Sequence, residues 1–129
     1  MKRRVTSPHV PEPPPGRFSR CLVAGDQVFI SGMTAWAPTA IEGGDSMHDQ
    51  AVAIFTRIKH LMEAAGGRMD DIVRLTFFVT DITRREEISQ ARARFFTGDF
   101  PTSTLVEVVA ITPGAIVEIE ATAILGAGG

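Results

Sequence analysis

The stretch from Phe100 to Ile124 constrains the fold more than any other part of this sequence. It holds two β-prone runs separated by Thr112-Pro113-Gly114, and this turn chemistry predicts a short antiparallel connection between two strands. The second run alternates with period two, which predicts one apolar core face and one face with two carboxylates among aliphatic neighbours. The inward set is Val117, Ile119, Ala121 and Ala123, and the outward set is Ile116, Glu118, Glu120 and Thr122.

Composition predicts one domain with no membrane or nucleic-acid partner. A chain of 129 residues can bury roughly two thirds of its unfolded surface. The formal charge is −2 and the 13 Lys and Arg residues are scattered, so the basic face expected of a nucleic-acid-binding protein is missing. The single cysteine, Cys21, cannot form an internal disulfide. Since no apolar run spans a bilayer and no apolar segment follows the basic first residues, we expect a cytoplasmic protein.

The chain divides into an arm, a domain and a tail. Residues 1–15 hold five of the eight prolines, which predicts a Pro-rich N-terminal arm that is either extended on the domain or disordered. A Pro-rich ligand for a partner protein is the alternative interpretation of this arm. Residues 16–125 form a single domain, and residues 126–129 are expected to be a flexible tail.

Pattern and capping residues predict the other elements. Phe18–Ala24 and Gln27–Gly32 form a hairpin around Gly25-Asp26. A helix capped by Asp45 or Ser46 ends at Gly66-Gly67. Its buried stripe comprises Ala51, Ile54, Phe55, Ile58, Leu61, Met62 and Ala65. A strand follows over Ile72–Thr80 with Val73, Leu75, Phe77 and Val79 inward, and a Thr83–Glu86 capping box opens a second helix through about Phe96.

The predicted order is β-β-α-β-α-β-β, closed by the hairpin described first. Two helices cannot cover both faces of a sheet, so we expect an α+β fold with a mixed sheet and both helices on one face. Apolar residues then remain on or near the bare face, which predicts an interface between identical copies. These residues are Phe78, Leu105, Ile116 and either Val106 or Val108.

The chain resembles the Rid family, also called the YjgF family, in a series of short motifs. These are Gly16-x-Phe18, Phe29-Ile30-Ser31-Gly32, Glu63-Ala64-Ala65-Gly66, Asp71-Ile72-Val73, Phe77-x-Val79-x-Asp81, Phe95-Phe96, Phe100-Pro101, Val106-Glu107-Val108 and Glu118-Ile119-Glu120-Ala121. The resemblance implies a chorismate-mutase-like fold and a homotrimer with a central barrel and ligand clefts between subunits. It also implies hydrolysis of imines or enamines, such as 2-aminoacrylate, to a keto acid and ammonia without a cofactor. Some family members are described as ribonucleases or translation inhibitors.

Four positions depart from the pattern of the deaminating members. Ser103 stands where the family has the Arg that binds the substrate carboxylate, and Leu105 stands where it has a Cys. Phe18 replaces a Tyr and keeps only the ring, and Ser89 lies on or beside a family Asn. The resemblance thus implies Phe18, Ser31-Gly32, Ser89, Ser103 and Leu105 as ligand-binding positions.

Loss of the arginine argues against 2-imino acids as substrates. A guanidinium binds a carboxylate through two parallel hydrogen bonds, and each bond to a charged group contributes roughly 1.5 to 3 kcal/mol, which a serine cannot supply. Arg17, Arg20 and Arg74 are candidates for a replacement cation, although a solvated surface arginine is the simpler interpretation of each.

Glu118 is the candidate catalytic residue. A carboxylate on a partly apolar face has its pKa raised by desolvation, as a residue that activates water requires. The alternative is a glutamate paired with a Lys or Arg across a wet interface. The three histidines lack metal-ligand spacing, so no metal and no cofactor are expected.

The sequence therefore predicts a Rid-type protein that binds a small polar metabolite between subunits. It either hydrolyses an imine or enamine or has lost that activity. A non-catalytic trimeric interaction module is the alternative, with the Pro-rich arm as a partner ligand. A ribonuclease or translation inhibitor is a third hypothesis, and the absence of a basic patch argues against it.

Overall fold

A computed structural model describes residues 1–129 as one six-stranded sheet with two α-helices. The elements are β1 (Lys2–Arg4), β2 (Cys21–Ala24), β3 (Gln27–Met33), α1 (Met47–Ala64), β4 (Ile72–Val79), α2 (Arg85–Arg92), β5 (Thr102–Glu107) and β6 (Val117–Ile124). Two short 3-10 turns, Met69–Asp71 and Ile82–Arg84, precede β4 and α2. None of the helices combines the length and apolar character that crossing a membrane requires.

The sheet is mixed, and its strand order is β1-β2-β3-β6-β4-β5. All neighbours are antiparallel except β4 and β5, which are parallel. Helix α1 packs on β3 and β6, and α2 packs beside α1, so the helices share one face of the sheet. The predicted α+β class and one-sided helix packing are confirmed.

The core lies between α1 and the inward face of β6. Every residue of the predicted α1 stripe is buried, as are the four inward residues of β6. Ser46 caps α1 by accepting a hydrogen bond from the Asp49 N–H, and Gly66 ends the helix region at a φ of 90°. The periodicity of apolar residues therefore predicts the buried faces of α1 and β6 correctly.

The predicted hairpin between the last two strands is wrong. Strand β5 pairs in parallel with β4, whereas β6 lies between β3 and β4. The Thr112-Pro113-Gly114 segment belongs to a longer connection that carries the chain past β4. A period of two identifies a strand but does not show which strands will pair with it. Strand β6 is paired on both edges, and no local sequence signal predicts this central position.

The start and end of α2 also differ from the prediction. Thr83 forms no capping box, because its N–H and hydroxyl both donate to the Asp81 carboxylate. Thr83 lies within the 3-10 turn Ile82–Arg84, and α2 begins at Arg85 and ends at Arg92 instead of Phe96. In β4, an irregular register between Ile72 and Arg74 buries Ile72 and leaves the predicted core residue Val73 only half-buried.

The sheet face opposite the helices carries exposed apolar side chains. Phe29, Val106 and Ile124 are 42%, 40% and 38% exposed. Leu105 and Ile116, which were expected on or near this face, pack against the core instead. The bare face therefore exposes apolar side chains beside polar ones such as Arg74 and Glu120, and fewer apolar residues contribute to it than the sequence predicted.

Both chain ends contact the domain. In the arm, β1 pairs with β2, and Val5 and Val10 are buried. At the other end, the Gly128 N–H donates to Asp71, and Arg68 donates to the Gly129 carbonyl. The mobility of residues 126–129 stays a prediction, as does the division into arm, domain and tail.

Candidate functional site

A cavity of about 450 Å³ opens beside the end of β3. We call it the Glu118 pocket. Its walls come from the arm, the segment before β2, the end of β3, α1 and the connection before β6. The lining residues are Pro11, Phe18, Arg20, Gly32, Met33, Thr34, Trp36, Arg57, Thr112, Pro113 and Glu118.

Gly32 makes room for the Glu118 carboxylate. The register of β3 against β6 is irregular between Ile30 and Met33, and Gly32 lies in this irregular segment. A Cβ atom at position 32 would lie 2.9 Å from Oε2 of Glu118, closer than real Cβ contacts allow. Only glycine at position 32 thus permits the observed place of the carboxylate.

Burial perturbs the pKa of Glu118. The side chain is half-buried, and desolvation raises its pKa above the ordinary value for glutamate. The negative charge of Glu120 raises this pKa further, whereas the positive charge of Arg20 lowers it. The carboxyl group can therefore exchange a proton closer to neutral pH than an exposed glutamate does.

Arg20 approaches the pocket from the segment before β2. Its Cζ atom lies 5.3 Å from the ring centroid of Phe18, which is a cation–π distance. Its Nη1 is 3.5 Å from the Gly32 carbonyl oxygen, at the limit of a hydrogen bond, and its buried Nε has no partner. Burial lowers the pKa of Arg20, the negative charges of Glu12 and Glu118 oppose this shift, and the positive charge of Arg57 adds to it.

Arg57 is a structural cation in the same wall. It is 6% exposed and donates hydrogen bonds to the carbonyls of residues 34–36 and to the Glu42 carboxylate. The guanidinium thus fixes the chain that follows β3 at the rim of the pocket. This role of Arg57 was not predicted from the sequence. The available signal was a charged residue three positions after Ile54 and four before Leu61, on the inward face of α1.

Gln50 fixes the opposite rim and was also missed. This fully buried side chain donates to the Gly44 and Gly114 carbonyls and accepts from the Ile116 N–H. The connection before β6 is therefore anchored to the start of α1. A further bond, from the Trp36 indole N–H to the Pro113 carbonyl, joins the two rims.

The predicted site residues lie in three places. Phe18, Gly32 and Glu118 all line the Glu118 pocket. Ser31 instead lines a groove on the bare sheet face, and its hydroxyl donates to the Ser19 carbonyl. Ser89, Ser103 and Leu105 lie on α2 and β5, none of them in the pocket wall.

Arg92 connects two of these distant positions. Its Nη1 donates to Ser103 Oγ at 3.0 Å and its Nη2 donates to Ser89 Oγ at 3.4 Å. We call Ser89, Arg92 and Ser103 the edge cluster, because β5 is the last strand of the sheet. Arg92 was absent from the predicted cations, although it lies one helical turn after Ser89.

The three cations proposed from sequence differ in position. Arg20 lines the pocket, whereas Arg74 lines the groove on the bare face and Arg17 is exposed outside both. Burial raises the pKa of Cys21 to about 11, so this thiol is protonated at neutral pH. No group of three His, Cys, Asp or Glu side chains is placed to hold a metal ion.

The chain is similar to proteins of known sequence and structure over almost its entire length. The family model described as endoribonuclease L-PSP matches residues 10–125. A 2-iminobutanoate/2-iminopropanoate deaminase from Dermatophagoides farinae is 29% identical over 96% of this chain and 97% of its own.

Solved structures show the same fold. A Pseudomonas aeruginosa protein of unknown function has 36% identity and a TM-score of 0.86 over 98% of this chain and 94% of its own. A Yersinia pestis protein of the conserved Rid protein family has 27% identity and a TM-score of 0.89 over 97% of this chain and 100% of its own. The chain therefore belongs to the endoribonuclease L-PSP family, which is the Rid or YjgF family that its sequence motifs resemble.

Proposed function

We propose that this protein hydrolyses a small imine or enamine in the Glu118 pocket without a cofactor. The observation that carries the proposal is the position of Glu118, half-buried against Gly32 in a cavity that also contains Arg20 and Phe18. A cavity of about 450 Å³ is within the size range of small-molecule sites. The deaminase named among the relatives supports the same reaction class.

The chemistry requires one water molecule and one group that moves its proton. The Glu118 carboxylate removes a proton from water as the oxygen attacks the imine carbon, which gives a carbinolamine. The protonated Glu118 returns this proton to nitrogen, which completes the neutral carbinolamine R₂C(OH)NH₂. Glu118 then moves the hydroxyl proton to the same nitrogen, so the C=O bond forms, the C–N bond breaks and ammonia leaves. The balanced reaction is R₂C=NH + H₂O → R₂C=O + NH₃, and an enamine first gains a proton on carbon and loses one from nitrogen to become the imine.

Glu118 suits this role because it must act as a base and then as an acid. A pKa above the ordinary glutamate value makes the carboxylate a stronger base for the first step than an exposed glutamate, and the acid that forms can still protonate an amine nitrogen. The Phe18 ring, which is 53% exposed, provides a flat apolar surface for a planar imine.

We further propose a homotrimer in which a neighbouring copy completes the pocket. The bare face supports this, because its exposed apolar side chains Phe29, Val106 and Ile124 would be covered by a second copy. The edge cluster supports it as well, since the positions matched to the family's site on α2 and β5 lie outside the pocket of their own chain. Sedimentation velocity at micromolar concentration tests the assembly, and a monomer would contradict it.

Ammonia release from imines generated in solution tests the catalytic proposal. The panel should include 2-iminopropanoate and an uncharged ketimine, each measured against its uncatalysed hydrolysis. We expect Glu118→Gln to lower kcat by about 10²- to 10⁴-fold, the usual contribution of a general acid–base group. Glu120→Gln is the matched control, because Glu120 lies on the same strand but is exposed outside the pocket, and it should change the rate by no more than about fivefold. No acceleration of any imine, or equal rates for wild type and Glu118→Gln, would contradict the proposal.

A further inference from the structure

Arg20 is the cation of the Glu118 pocket whose donors remain available. Arg57, the other lining cation, is held by three backbone carbonyls and by Glu42, with its Nη2 2.6 Å from the Glu42 carboxylate. Arg20 takes part in none of the ion pairs of the chain. Its one hydrogen bond, to the Gly32 carbonyl, is 3.5 Å long. The positive charge that a ligand meets in this pocket is therefore that of Arg20.

The buried Nε of Arg20 makes the absence of a partner costly. A guanidinium has five N–H donors, and a donor that is removed from water without a partner destabilises the protein. Of all buried side-chain nitrogen and oxygen atoms in the chain, this Nε is the one without a hydrogen bond. An acceptor in the cavity does not reach the buried Nε, but it can accept from the exposed Nη donors and compensate the half-buried charge of the same guanidinium.

The surroundings of Arg20 also fix its orientation. The Phe18 ring lies 5.3 Å from its Cζ atom, and the segment that carries it is tied to β3 by the bond from the Ser31 N–H to the Arg20 carbonyl. A planar guanidinium held this way has fewer orientations to lose when it binds a planar anion through two parallel hydrogen bonds. A carboxylate matches this geometry.

We propose that Arg20 is the specificity-determining residue of the Glu118 pocket and that the ligand is a small molecule with one carboxylate. Anion recognition is thereby moved from position 103, where this chain has serine, to the segment before β2. The proposal deepens the proposed function, because it names the substrate class of the same pocket. The role of Arg20 can be tested separately from catalysis, because it concerns ligand binding and not turnover.

Two ligands of nearly equal size test the charge preference. The probes are 2-oxobutanoate and 2-oxobutanamide, which differ in a carboxylate and a carboxamide. Trp36 lines the pocket and is the single tryptophan, so its fluorescence reports binding at this site, with calorimetry as a second measurement. We expect the wild-type protein to bind the carboxylate at least about tenfold more tightly, as a hydrogen-bonded charge pair predicts.

Substitution of Arg20 should remove that preference. In Arg20→Gln we expect the affinities for the two probes to agree within about twofold, because the loss falls on the carboxylate alone. Arg20→Lys should keep an intermediate preference, since it retains the charge but not the planar fork. Arg74→Gln is the matched control, an arginine outside the pocket whose loss should leave both affinities unchanged.

The outcomes separate this inference from the proposed function. Equal binding of both probes by the wild type, or an unchanged preference in Arg20→Gln with a wild-type Tm, would overturn the role of Arg20. If Arg20→Gln has a lowered Tm, the carboxylate preference is compared between the wild type and Arg20→Lys instead. A wild-type preference in Arg20→Lys would show that two parallel hydrogen bonds from a planar guanidinium are not required. Glu118→Gln should keep the carboxylate preference while losing turnover, so a pocket that binds 2-oxobutanoate but hydrolyses no imine refutes only the proposed function.

Discussion

The Glu118 pocket and the edge cluster each contain a half-buried arginine, yet the two arginines are held differently. Arg92 donates to two serine hydroxyls on the open edge of the sheet. Arg20 lies in a cavity, has one long hydrogen bond and keeps a buried Nε without a partner. A cation whose donors already have neutral partners gains less from an added anion than a cation whose donors have none.

This difference shows why a lost motif residue does not by itself decide what a pocket binds. Position 103 is serine, and by sequence alone this argues against 2-imino acids as substrates. The structure places another arginine, Arg20, beside the candidate catalytic glutamate, and a charge in a cavity is screened less by salt than one on an edge. The charge offered to a ligand therefore depends on the three-dimensional surroundings of every nearby cation.

The largest effect that separates the two regions is expected from Gly32→Ala. The added Cβ would lie 2.9 Å from Glu118 Oε2, so the carboxylate has to move while the backbone stays in place. Because a displacement of about 1 Å can cost roughly 10²-fold in rate, we expect kcat/KM to fall by about 30- to 100-fold with a small change in Tm. Ser103→Ala is the comparison variant in the edge cluster and removes one neutral hydrogen-bonding group, so kcat/KM should fall by less than about tenfold in the same assay. Equal losses in both variants would contradict the distinction.

The sequence predicts the strands that line the pocket better than the buried polar side chains that hold its rims. The alternation of β6 correctly placed Glu118 opposite the core face, and the motif Ser31-Gly32 correctly marked a close approach, although only Gly32 lines the cavity. The apolar stripe of α1 does not reveal Gln50 or Arg57, because a periodic pattern of apolar residues carries no information about buried polar ones. Their burial depends on carbonyls from distant loops, which no local pattern specifies.

Strand pairing set a second limit on prediction. The sequence Thr112-Pro113-Gly114 predicts a hairpin turn. In the structure this segment forms one rim of the pocket and accepts hydrogen bonds from the Trp36 and Gln50 side chains. Those two contacts join residues more than 60 positions apart. Arg92 was overlooked for a related reason, since its proximity to Ser103 depends on how α2 packs against β5.

Opposite shifts of the pH–rate profile would sharpen the electrostatic side of the comparison. If ionised Glu118 is the base, the rate rises with pH through its pKa. Glu120→Gln removes a charge that raises this pKa, so the acid limb should move to lower pH. Arg20→Gln removes a charge that lowers it, so the acid limb should move to higher pH. At a fixed pH on that limb we expect about twofold to fivefold changes in rate, the size of partly exposed charge interactions.

The matched control for this measurement is Arg68, which pairs with Asp70 outside the pocket and the edge cluster. Arg68 is not among the charges that shift the pKa of Glu118, so Arg68→Gln should leave the acid limb of kcat/KM in place. Shifts of the same sign in the Glu120 and Arg20 variants would mean that the titrating group is not Glu118.

The smallest expected effect tests whether the two regions meet across copies. The test combines Ser103→Arg and Arg92→Ser in the Arg20→Gln background. Ser103→Arg introduces an arginine at position 103. Arg92→Ser removes the cation that would repel it, because Arg92 Nη1 lies 3.0 Å from Ser103 Oγ. If a neighbouring copy brings its edge cluster to the pocket, 2-oxobutanoate affinity should recover by about threefold to tenfold, as one partly exposed charge pair allows. Ser103→Gln with Arg92→Ser lacks the charge and should give no recovery. Equal affinities in the two combinations would mean that each pocket depends on its own Arg20 and that the edge cluster faces something else.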